Sequence, residues 1–416
     1  MIFGRSALTL KTATHATSKH MSRLSRRITD TVAKNYGMCD QAAAFATQSG
    51  LIHLELGRPY CDTPQHIKDA TIKALQDGEV HYSDMRGNAA LRAALARKLG
   101  SVNAIHVDPE QIIVTNGLTQ ASFIAFMTLV DEGDEVIVLD PYYPQHIGKI
   151  EIAGGRAVSV PLDASAGFSI RADWIERSIT ARTRAIVLVN PANPTGRVYT
   201  LPELESLAEI ATRHDLFVIS DEVYECITYD RTRHVSIASL PHMAERTVSM
   251  FAFTKAYAMD GWRLGYAVAS KEIVAGMAKI FTSEVTHVNS FVQYGALAAV
   301  TGPYEPIQAM IDADQRNRDL MVSRLNRMPG VTCEMPQGSI YAFPNITRTG
   351  YPSQQLAELI LESVHVVVEA GSFYGTAGEG HLRLCFGSQP YEVIESAMDR
   401  LSRFFGSLPS AQLERA

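Results

Sequence analysis

Residues 185–196 read Ala185-Ile186-Val187-Leu188-Val189-Asn190-Pro191-Ala192-Asn193-Pro194-Thr195-Gly196. The first five residues form an uninterrupted apolar run, which is typical of a strand that is buried on both faces. The two Asn-Pro pairs that follow predict a rigid turn at the end of that strand. In open α/β sheets ligands bind beyond the carboxyl ends of the strands. The stretch therefore indicates both a fold class and a position for a site.

Further apolar runs of the same kind alternate with helical patterns along the middle of the chain. The other predicted strands are Ile112–Thr115, Glu135–Leu139, Leu216–Ser220 and Thr247–Phe251, and the predicted helices include Gln120–Val130 and Pro202–Arg213. This alternation predicts an α/β fold in which helices cover both faces of a mostly parallel sheet.

The two ends of the chain show a different pattern. Helical patterns over residues 30–50, 64–78 and 88–99 surround a short predicted strand over residues 51–57. After about residue 300, a long polar helix (306–327) is followed by strand-like pieces at 331–333, 339–343, 364–369 and 381–386 and by a final helix (391–405). We expect this part to form a smaller α+β domain.

The composition excludes several classes of protein. The chain has 416 residues, is 46% hydrophobic and carries a net charge of −6, so it can bury a large core and lacks the basic stripe of nucleic-acid-binding proteins. No apolar run is long enough to span a bilayer, which argues against a membrane partner. The five cysteines are scattered without a Cys-x-x-Cys pair, so we predict no metal site and a reducing compartment, the cytoplasm.

The first 27 residues are rich in Ser, Thr and basic residues, and no acidic residue precedes Asp30. This composition resembles an organellar transit segment, which makes import a minor alternative to the cytoplasm. The favoured interpretation is a disordered basic extension over residues 1–27, or translation that starts at Met21.

Lys255 follows the apolar run that ends at Phe251, and Arg263 lies eight residues later in a turn between two glycines. A lysine with apolar flanks and a second cation nearby can have a depressed pKa and act as a nucleophilic amine, as a Schiff base to an aldehyde cofactor requires. A surface lysine after a buried strand is the alternative, and it would be preferred if Lys255 stood alone.

Other strand ends carry groups that suit such a cofactor. The turn at Gly117 places the N–H groups of Leu118 and Thr119 at a helix start, which suits a phosphate. Tyr143 could stack on a ring, and a carboxylate at Asp221 needs a cation such as a protonated pyridine nitrogen. For each of these residues a purely structural role, such as packing or helix capping, is the alternative.

Arg383 lies on a predicted strand in His381-Leu382-Arg383-Leu384-Cys385-Phe386, where its alternate neighbours are apolar. An arginine near a site can bind a carboxylate with two parallel hydrogen bonds. A surface or ion-paired arginine is the alternative.

Taken together and in this order, the motifs resemble those of the fold type I pyridoxal phosphate (PLP) enzymes, in particular the class I/II aminotransferases of the aspartate aminotransferase superfamily. The most specific parts are the Asn-Pro-x-Asn-Pro-Thr-Gly turn, the Asp-Glu-Val-Tyr segment at 221–224 and the Thr-Lys…Gly-x-Arg segment at 254–263. The resemblance runs from about Arg23 to about Phe405. It implies a seven-stranded sheet in a large domain (residues 63–300) and a small domain formed by residues 28–62 together with 301–416.

The resemblance also implies roles for individual residues. Lys255 would form the Schiff base (the internal aldimine) and move the substrate proton, while Asp221 would pair with the pyridine nitrogen. The cofactor would further contact Gly117, Leu118, Thr119, Tyr143, Asn193, Tyr224, Thr254 and Arg263. The substrate carboxylate would contact Gly57, Asn193 and Arg383. Tyr82 would reach the phosphate of the neighbouring subunit, so the resemblance implies a homodimer that acts on an amino acid and a 2-oxo acid.

The chain departs from the family pattern at two positions. Ala252 stands where members often carry serine, which removes one expected phosphate contact, and Arg58 stands where many carry an acidic residue. One hypothesis is that Arg58 favours a substrate with an anionic side chain. The preferred alternative is that Arg58 faces solvent or pairs with a carboxylate of the protein.

Other reactions on the same scaffold keep every motif named above. The alternative function is a PLP-dependent lyase that carries out β-elimination, for example of a cysteine conjugate. A non-enzymatic PLP sensor is disfavoured because the residues before the first fold helix are too few for a helix-turn-helix domain.

Overall fold

The computed structural model of the protein describes residues 24–31, 37–43 and 50–409. The disorder predicted for the basic extension over residues 1–27 falls mostly outside these ranges. The helical pattern predicted over residues 30–50 also falls partly outside them, and its described part contains the short helix Met38–Ala42.

Within these ranges the chain forms thirteen α-helices and twelve strands. The helices are α1 (Arg26–Asp30), α2 (Met38–Ala42), α3 (Gln65–Gln76), α4 (Ala89–Val102), α5 (Leu118–Leu129), α6 (Gln145–Ile152), α7 (Ala172–Ser178), α8 (Leu201–Arg213), α9 (Lys271–Glu284), α10 (Ser290–Thr301), α11 (Glu305–Leu325), α12 (Ser353–Val364) and α13 (Tyr391–Gly406). The strands are β1 (Ile52–His53), β2 (Ile112–Thr115), β3 (Glu135–Asp140), β4 (Arg156–Pro161), β5 (Thr183–Val189), β6 (Phe217–Asp221), β7 (Thr247–Ala252), β8 (Gly265–Val268), β9 (Tyr341–Ala342), β10 (Val366–Val367), β11 (Glu369–Ala370) and β12 (Leu382–Cys385).

Seven strands form the large sheet in the order β2-β8-β7-β6-β5-β3-β4. Strands β7, β6, β5, β3 and β4 run parallel, while β8 pairs antiparallel with both β7 and β2. All strands except β8 therefore end at the same edge. The predicted α/β class with a mostly parallel seven-stranded sheet is confirmed.

Apolar side chains hold this sheet between its helices, as the continuous runs predicted. Residues of β2 and β3 are buried throughout, and α5 is buried on most of its surface because it packs against the sheet. At α8, Thr200 and Glu203 form a capping box, which supplies partners for otherwise free N–H groups at the helix start.

The remaining strands form two small sheets. Strand β12 lies between β11 and β9 in an antiparallel sheet, and β1 pairs with β10 in parallel. In the first of these sheets Arg383 lies opposite Glu369. One hydrophobic core joins Met38, Ile52 and Leu54 to residues of α11, α12 and α13. Early and late parts of the chain thus pack together, and the domain boundaries given above stay a prediction.

Two strands of the large sheet have no counterpart in the sequence-based prediction. Strand β4 is an edge strand with mostly exposed or half-buried residues, so it lacks a continuous apolar run. Strand β8 directly follows the turn at Arg263. It has only four residues, so the strand is too short to show a periodic pattern of its own. Among the described residues, no helix has the length and apolar character that crossing a membrane demands.

Candidate active site

The candidate site lies at the edge of the large sheet where the parallel strands end. Asp221 is the last residue of β6, and Asn193 lies in the turn after β5. Lys255 follows β7 by three residues, and Tyr143 follows β3 by the same number. Strand ends that share one edge bring these four side chains together although 112 positions separate the first from the last along the chain (255 − 143).

A cradle for an anion is formed by the start of α5 and the Arg263 turn. Gly117 has a φ of +80°, so a residue with a side chain would be strained there. A Cβ atom on Gly117 would lie 2.8 Å from Nη2 of Arg263, which shows how closely the guanidinium approaches the helix start. Arg263 Nη1 donates to Asp260 O (2.8 Å), which orients the side chain. Free helix N–H groups and a cation together suit a phosphate.

Asp221 is buried and accepts a hydrogen bond from His146 Nε2 (3.1 Å). Burial lowers the pKa of His146, so its ring is held neutral and acts as a donor toward the carboxylate. The Nδ1 atom of His146 is buried without a hydrogen-bond partner among the described residues. The carboxylate therefore has a neutral partner on one side and remains suited to a cationic group on the other.

Tyrosine side chains contribute to the same part of the site. The ring of Tyr143 lies edge-on to His146, with centroids 5.2 Å apart. The hydroxyl of Tyr224 lies 2.8 Å from the hydroxyl of Tyr341. Burial raises the pKa of Tyr341 to about 12 and that of Tyr224 well above its ordinary value, so both hydroxyls keep their protons and can donate.

Lys255 is half-buried, and its Nζ donates to the carbonyl of Gly57. Desolvation lowers the pKa of Lys255 to about 8, and the guanidinium groups of Arg383 and Arg263 act in the same direction. A lowered pKa increases the fraction of the neutral amine near neutral pH, which is the nucleophilic form.

Arg383 is buried on β12 between the rings of Tyr341 and Tyr374, with its Cζ 4.3 and 4.9 Å from the two centroids. Its Nη1 donates to Asn193 Oδ1 (3.2 Å), and its Nη2 donates to the carbonyl of Glu55. Its Nε is buried without a hydrogen-bond partner among the described residues. A buried guanidinium with a free donor is suited to an anionic ligand such as a carboxylate.

The other residues predicted for the site differ in how far they are exposed. Leu118 is buried at the start of α5, Thr119 is exposed on the same turn, and Thr254 is half-buried before Lys255. Tyr82 is 84% exposed and packs edge-on against His287, with centroids 4.8 Å apart. Arg58 is exposed next to Gly57.

Sequence reasoning missed four residues that shape the site, namely Glu55, His146, Tyr341 and Tyr374. A signal existed for His146, because it lies one helical turn after Tyr143. The tyrosines gave no signal, since the hydrogen bond between Tyr224 and Tyr341 joins residues 117 positions apart. Such contacts exist only in the folded chain.

These residues fit pyridoxal phosphate. The cradle at Gly117 and Arg263 suits the phosphate, Asp221 suits a protonated ring nitrogen, and Lys255 supplies an amine for the aldehyde. The free Nε of Arg383 suits the carboxylate of an amino acid. Among the described residues, no group of acidic, His and Cys side chains is arranged to hold a metal ion.

Comparisons with known proteins agree with this chemistry. The sequence profile of the family described as "Aminotransferase class I and II" matches residues 49–401. The chain is 38% identical over 357 residues to an aromatic-amino-acid aminotransferase of Thermococcus litoralis, which covers 85% of this chain and 91% of the relative. It is also 38% identical over 361 residues to an aspartate aminotransferase of Pyrococcus abyssi, covering 86% and 92% of the two chains.

Solved structures show the same likeness. An aromatic aminotransferase from Pyrococcus horikoshii superposes with a TM-score of 0.84 at 38% identity, covering 88% of this chain and 98% of that one. The aspartate aminotransferase from Thermus thermophilus with maleate superposes with a TM-score of 0.86 at 35% identity, covering 92% and 100%.

Proposed function

The chain belongs to the class I and II aminotransferase family and is a PLP-dependent aminotransferase, and we propose that the site around Lys255 carries its reaction. The observation that supports this assignment most is the setting of Lys255, whose Nζ donates to the carbonyl of Gly57 and whose pKa is lowered by burial and by the guanidinium groups of Arg383 and Arg263. The charge of a group suited to a carboxylate and that of a group suited to a phosphate therefore both act on this one amine.

We propose that Gly117, Leu118, Thr119, Thr254 and Arg263 hold the cofactor phosphate, and that Tyr143 packs on the ring. Bound pyridoxal phosphate supplies an aldehyde for an amine and a ring that accepts electrons from the substrate Cα. The Asp221 carboxylate, which accepts a hydrogen bond from His146, would hold the proton on the ring nitrogen. Tyr224 and Asn193 would donate to the ring hydroxyl, because the Tyr224 phenol stays protonated.

At the substrate end, we propose that Arg383 binds the α-carboxylate, with Asn193 and the N–H of Gly57 beside it. The two rings that flank the guanidinium leave its planar edge as the route for an anion. The Lys255 amine would then take the proton from the substrate Cα and deliver it to C4′ of the cofactor, two bonds away across the amino nitrogen. Orientation by these groups decides which bond at Cα breaks.

The experiment that tests this assignment uses single amino acids without an acceptor. Purified holoenzyme is mixed with one L-amino acid at a time, and the visible absorbance of the cofactor is followed. Conversion to the pyridoxamine spectrum identifies a donor, and a 2-oxo acid should appear in equal amount. If pyruvate and ammonia were released instead with no acceptor present, the site would be that of a β-eliminating lyase.

For the substrate class we propose aromatic amino acids and aspartate as the first donors to test, with 2-oxo acids as acceptors. The two relatives at 38% identity are named for these donors. The exposed Arg58 beside Gly57 could contact the side chain of a dicarboxylic substrate. The rates at which L-aspartate and L-phenylalanine convert the cofactor to the pyridoxamine form distinguish the two substrate classes.

We propose that the protein works as a homodimer in which Tyr82 completes the site of the partner subunit. A tyrosine that is 84% exposed, with Val80 and Met85 exposed beside it, is suited to burial against a second copy. The inactive Lys255→Ala variant is mixed in equal amount with a Tyr82→Ala variant under conditions of subunit exchange. Half of the dimers are then mixed, and each mixed dimer has one site with both an intact Lys255 and an intact tyrosine from the other subunit. About a quarter of all sites should therefore be active. No gain of activity on mixing, with exchange verified, would contradict a shared site.

We also propose a cytoplasmic location. All five cysteines are free thiols in the structure, which suits a reducing compartment. Localisation of the tagged full chain in its own cells tests this proposal, and recovery from an organelle would favour the transit-segment alternative for the basic N-terminus.

A further inference from the structure

The carboxylate of Asp140, at the end of β3, is buried and receives four hydrogen bonds from neutral donors. Ser159 Oγ donates to Oδ2 (2.8 Å), as do the N–H and the hydroxyl of Thr376 (3.1 and 3.0 Å). The N–H of Ala377 donates to Oδ1 (3.2 Å). A buried carboxylate is stable only with such a set of donors, so its position determines where those donors lie.

Three of these four bonds come from one loop of the C-terminal part of the chain. This loop, residues 374–378, precedes β12 and contains Gly375 and Gly378. Its first residue, Tyr374, flanks Arg383, but Thr376 and Ala377 have had no role in the site described so far. Gly375 has a φ of +117°, and a Cβ atom there would lie 2.2 Å from Asp140 Oδ1. The loop therefore needs glycine at this position in order to close over the carboxylate.

A main-chain bond extends the same connection. The N–H of Tyr142 donates to the carbonyl of Tyr374 (2.8 Å), so the loop follows the chain that leads from Asp140 toward Tyr143. The Tyr374 ring is 1% exposed, and Arg383 Cζ lies 4.9 Å from its centroid. One continuous set of contacts thus runs from the end of β3 through the loop to the guanidinium.

We propose that Asp140 is a positioning residue for substrate binding: by clamping residues 374–377 to the end of β3, it fixes Tyr374 against Arg383 at the place where the substrate α-carboxylate binds. This inference rests on the proposed role of Arg383. It assigns to Asp140 no contact with substrate or cofactor.

The clamp matters because Arg383 lies on a strand of the small antiparallel sheet, whereas Tyr143 and Lys255 follow strands of the large sheet. Carboxylate binding and proton transfer require the two groups at a fixed separation, and small errors in such geometry cost rate. A carboxylate with donors from both sides is a rigid connection between the two sheets.

The experiment compares a substrate that has an α-carboxylate with one that lacks it. Half-reactions of the holoenzyme with L-phenylalanine and with 2-phenylethylamine are followed by cofactor absorbance under single-turnover conditions. The variants are Asp140→Asn, which sets an amide N–H against a backbone N–H, and Thr376→Val, which removes only the hydroxyl bond. Ser159→Ala is the matched control, because it removes a bond to the same carboxylate from β4 without touching the loop.

In the half-reaction with L-phenylalanine, we expect Asp140→Asn to lower the ratio of the limiting rate constant to the apparent Kd about tenfold, mainly by raising Kd. Thr376→Val should lower this ratio less, as the loss of one to a few hydrogen bonds predicts. The rate with 2-phenylethylamine should change less than twofold in both variants and in Ser159→Ala. General damage to the site would lower the rates with both compounds by the same factor, and this result would overturn the inference.

Arg383→Gln separates failure of this inference from failure of the proposed function. If Arg383→Gln lowers the rate with L-phenylalanine selectively but Asp140→Asn and Thr376→Val do not, Asp140 has no positioning role and the role of Arg383 stands. If Arg383→Gln also leaves the ratio of the two rates unchanged, the assignment of Arg383 to the carboxylate is wrong, and the inference falls with it.

Discussion

The proposed cofactor side and the proposed carboxylate side of the candidate site are built in different ways. The cofactor side is formed by Gly117, Asp221, Lys255 and Arg263. The first three end or follow strands of one sheet, and Arg263 lies in the turn that leads into β8 of the same sheet. The carboxylate side, formed by Glu55, Asn193, Tyr341, Tyr374 and Arg383, is assembled from segments as far as 328 positions apart. One side is positioned by a regular sheet, and the other depends on tertiary packing around a buried cation.

This difference has consequences for mutation. On the cofactor side each residue is held by its own strand, so the loss of one group should leave the others in place. On the carboxylate side Arg383 is supported by Asn193, Glu55 and two rings, so distant changes can alter its position. The changes below test this contrast.

The largest effect is expected for Lys255→Ala, on the cofactor side. Turnover should fall by about four orders of magnitude or more, because the group proposed as nucleophile and proton carrier is removed. Pyridoxal phosphate should still bind through Asp221, Arg263 and Tyr143, which equilibrium dialysis of the variant can measure. If the variant lost cofactor binding as well as turnover, the remaining residues of the cofactor side would depend on Lys255 for their positions, which would contradict the contrast.

On the carboxylate side, Arg383→Gln should lower kcat/KM for amino acids about a hundredfold or more, since it removes the buried charge that would pair with the substrate carboxylate. Steady-state kinetics with saturating acceptor measures this effect, while the cofactor spectrum should be retained. The Arg383→Lys variant keeps the charge but loses the planar fork, and should recover only part of the loss. Equal kinetics in all three proteins would contradict the role of Arg383.

A buried cation behind the cofactor side gives a pH-dependent prediction. Lys149 on α6 is 8% exposed, donates to Ser122 Oγ (2.8 Å), and has its pKa lowered from 10.5 to about 8 by desolvation. Below pH 8 Lys149 is charged in the folded protein, and the desolvation of this charge lowers the free energy of unfolding by its full amount. This loss of stability disappears as the pH rises from 8 to 10.5, because the folded protein releases the proton before the unfolded chain does. Relative to Lys149→Met, the unchanged protein should therefore gain up to about 3 kcal/mol of unfolding free energy over that interval.

Urea unfolding at a series of pH values measures this difference. Lys279→Met, a change at an exposed lysine of α9, is the control, and its difference from the unchanged protein should stay constant over the same pH range. A flat difference for Lys149→Met as well would mean that Lys149 carries no desolvation cost in the fold.

The smallest effect is expected at the outer rim of the site. Arg58 is exposed, so Arg58→Ala should change the ratio of kcat/KM for L-aspartate to that for L-phenylalanine less than about threefold, as for a screened surface charge. Competition between the two substrates measures the ratio directly. A tenfold fall would instead establish that Arg58 selects anionic side chains.

Much of the cofactor side was predictable because its signals are local. An apolar run that ends in Asp221 or precedes Lys255 can be identified without knowing the rest of the fold. The turn at Gly117 was predicted for the same reason, although α5 begins at Leu118, two residues earlier than its apolar pattern suggests. Strand β4 lies at the edge of the sheet with one buried residue, and β8 is buried throughout but only four residues long, so neither was predicted.

By itself the sequence determined the α/β class and the family, and it predicted the edge of the sheet at which the candidate site lies. It could do so because parallel strands bring their carboxyl ends together in any order of pairing. Only the tertiary structure decided that Tyr341 and Tyr374 enclose Arg383, that His146 supports Asp221, and that Asp140 clamps the glycine-rich loop. These contacts join residues with no periodic relation along the chain, so packing of the folded core alone determines them.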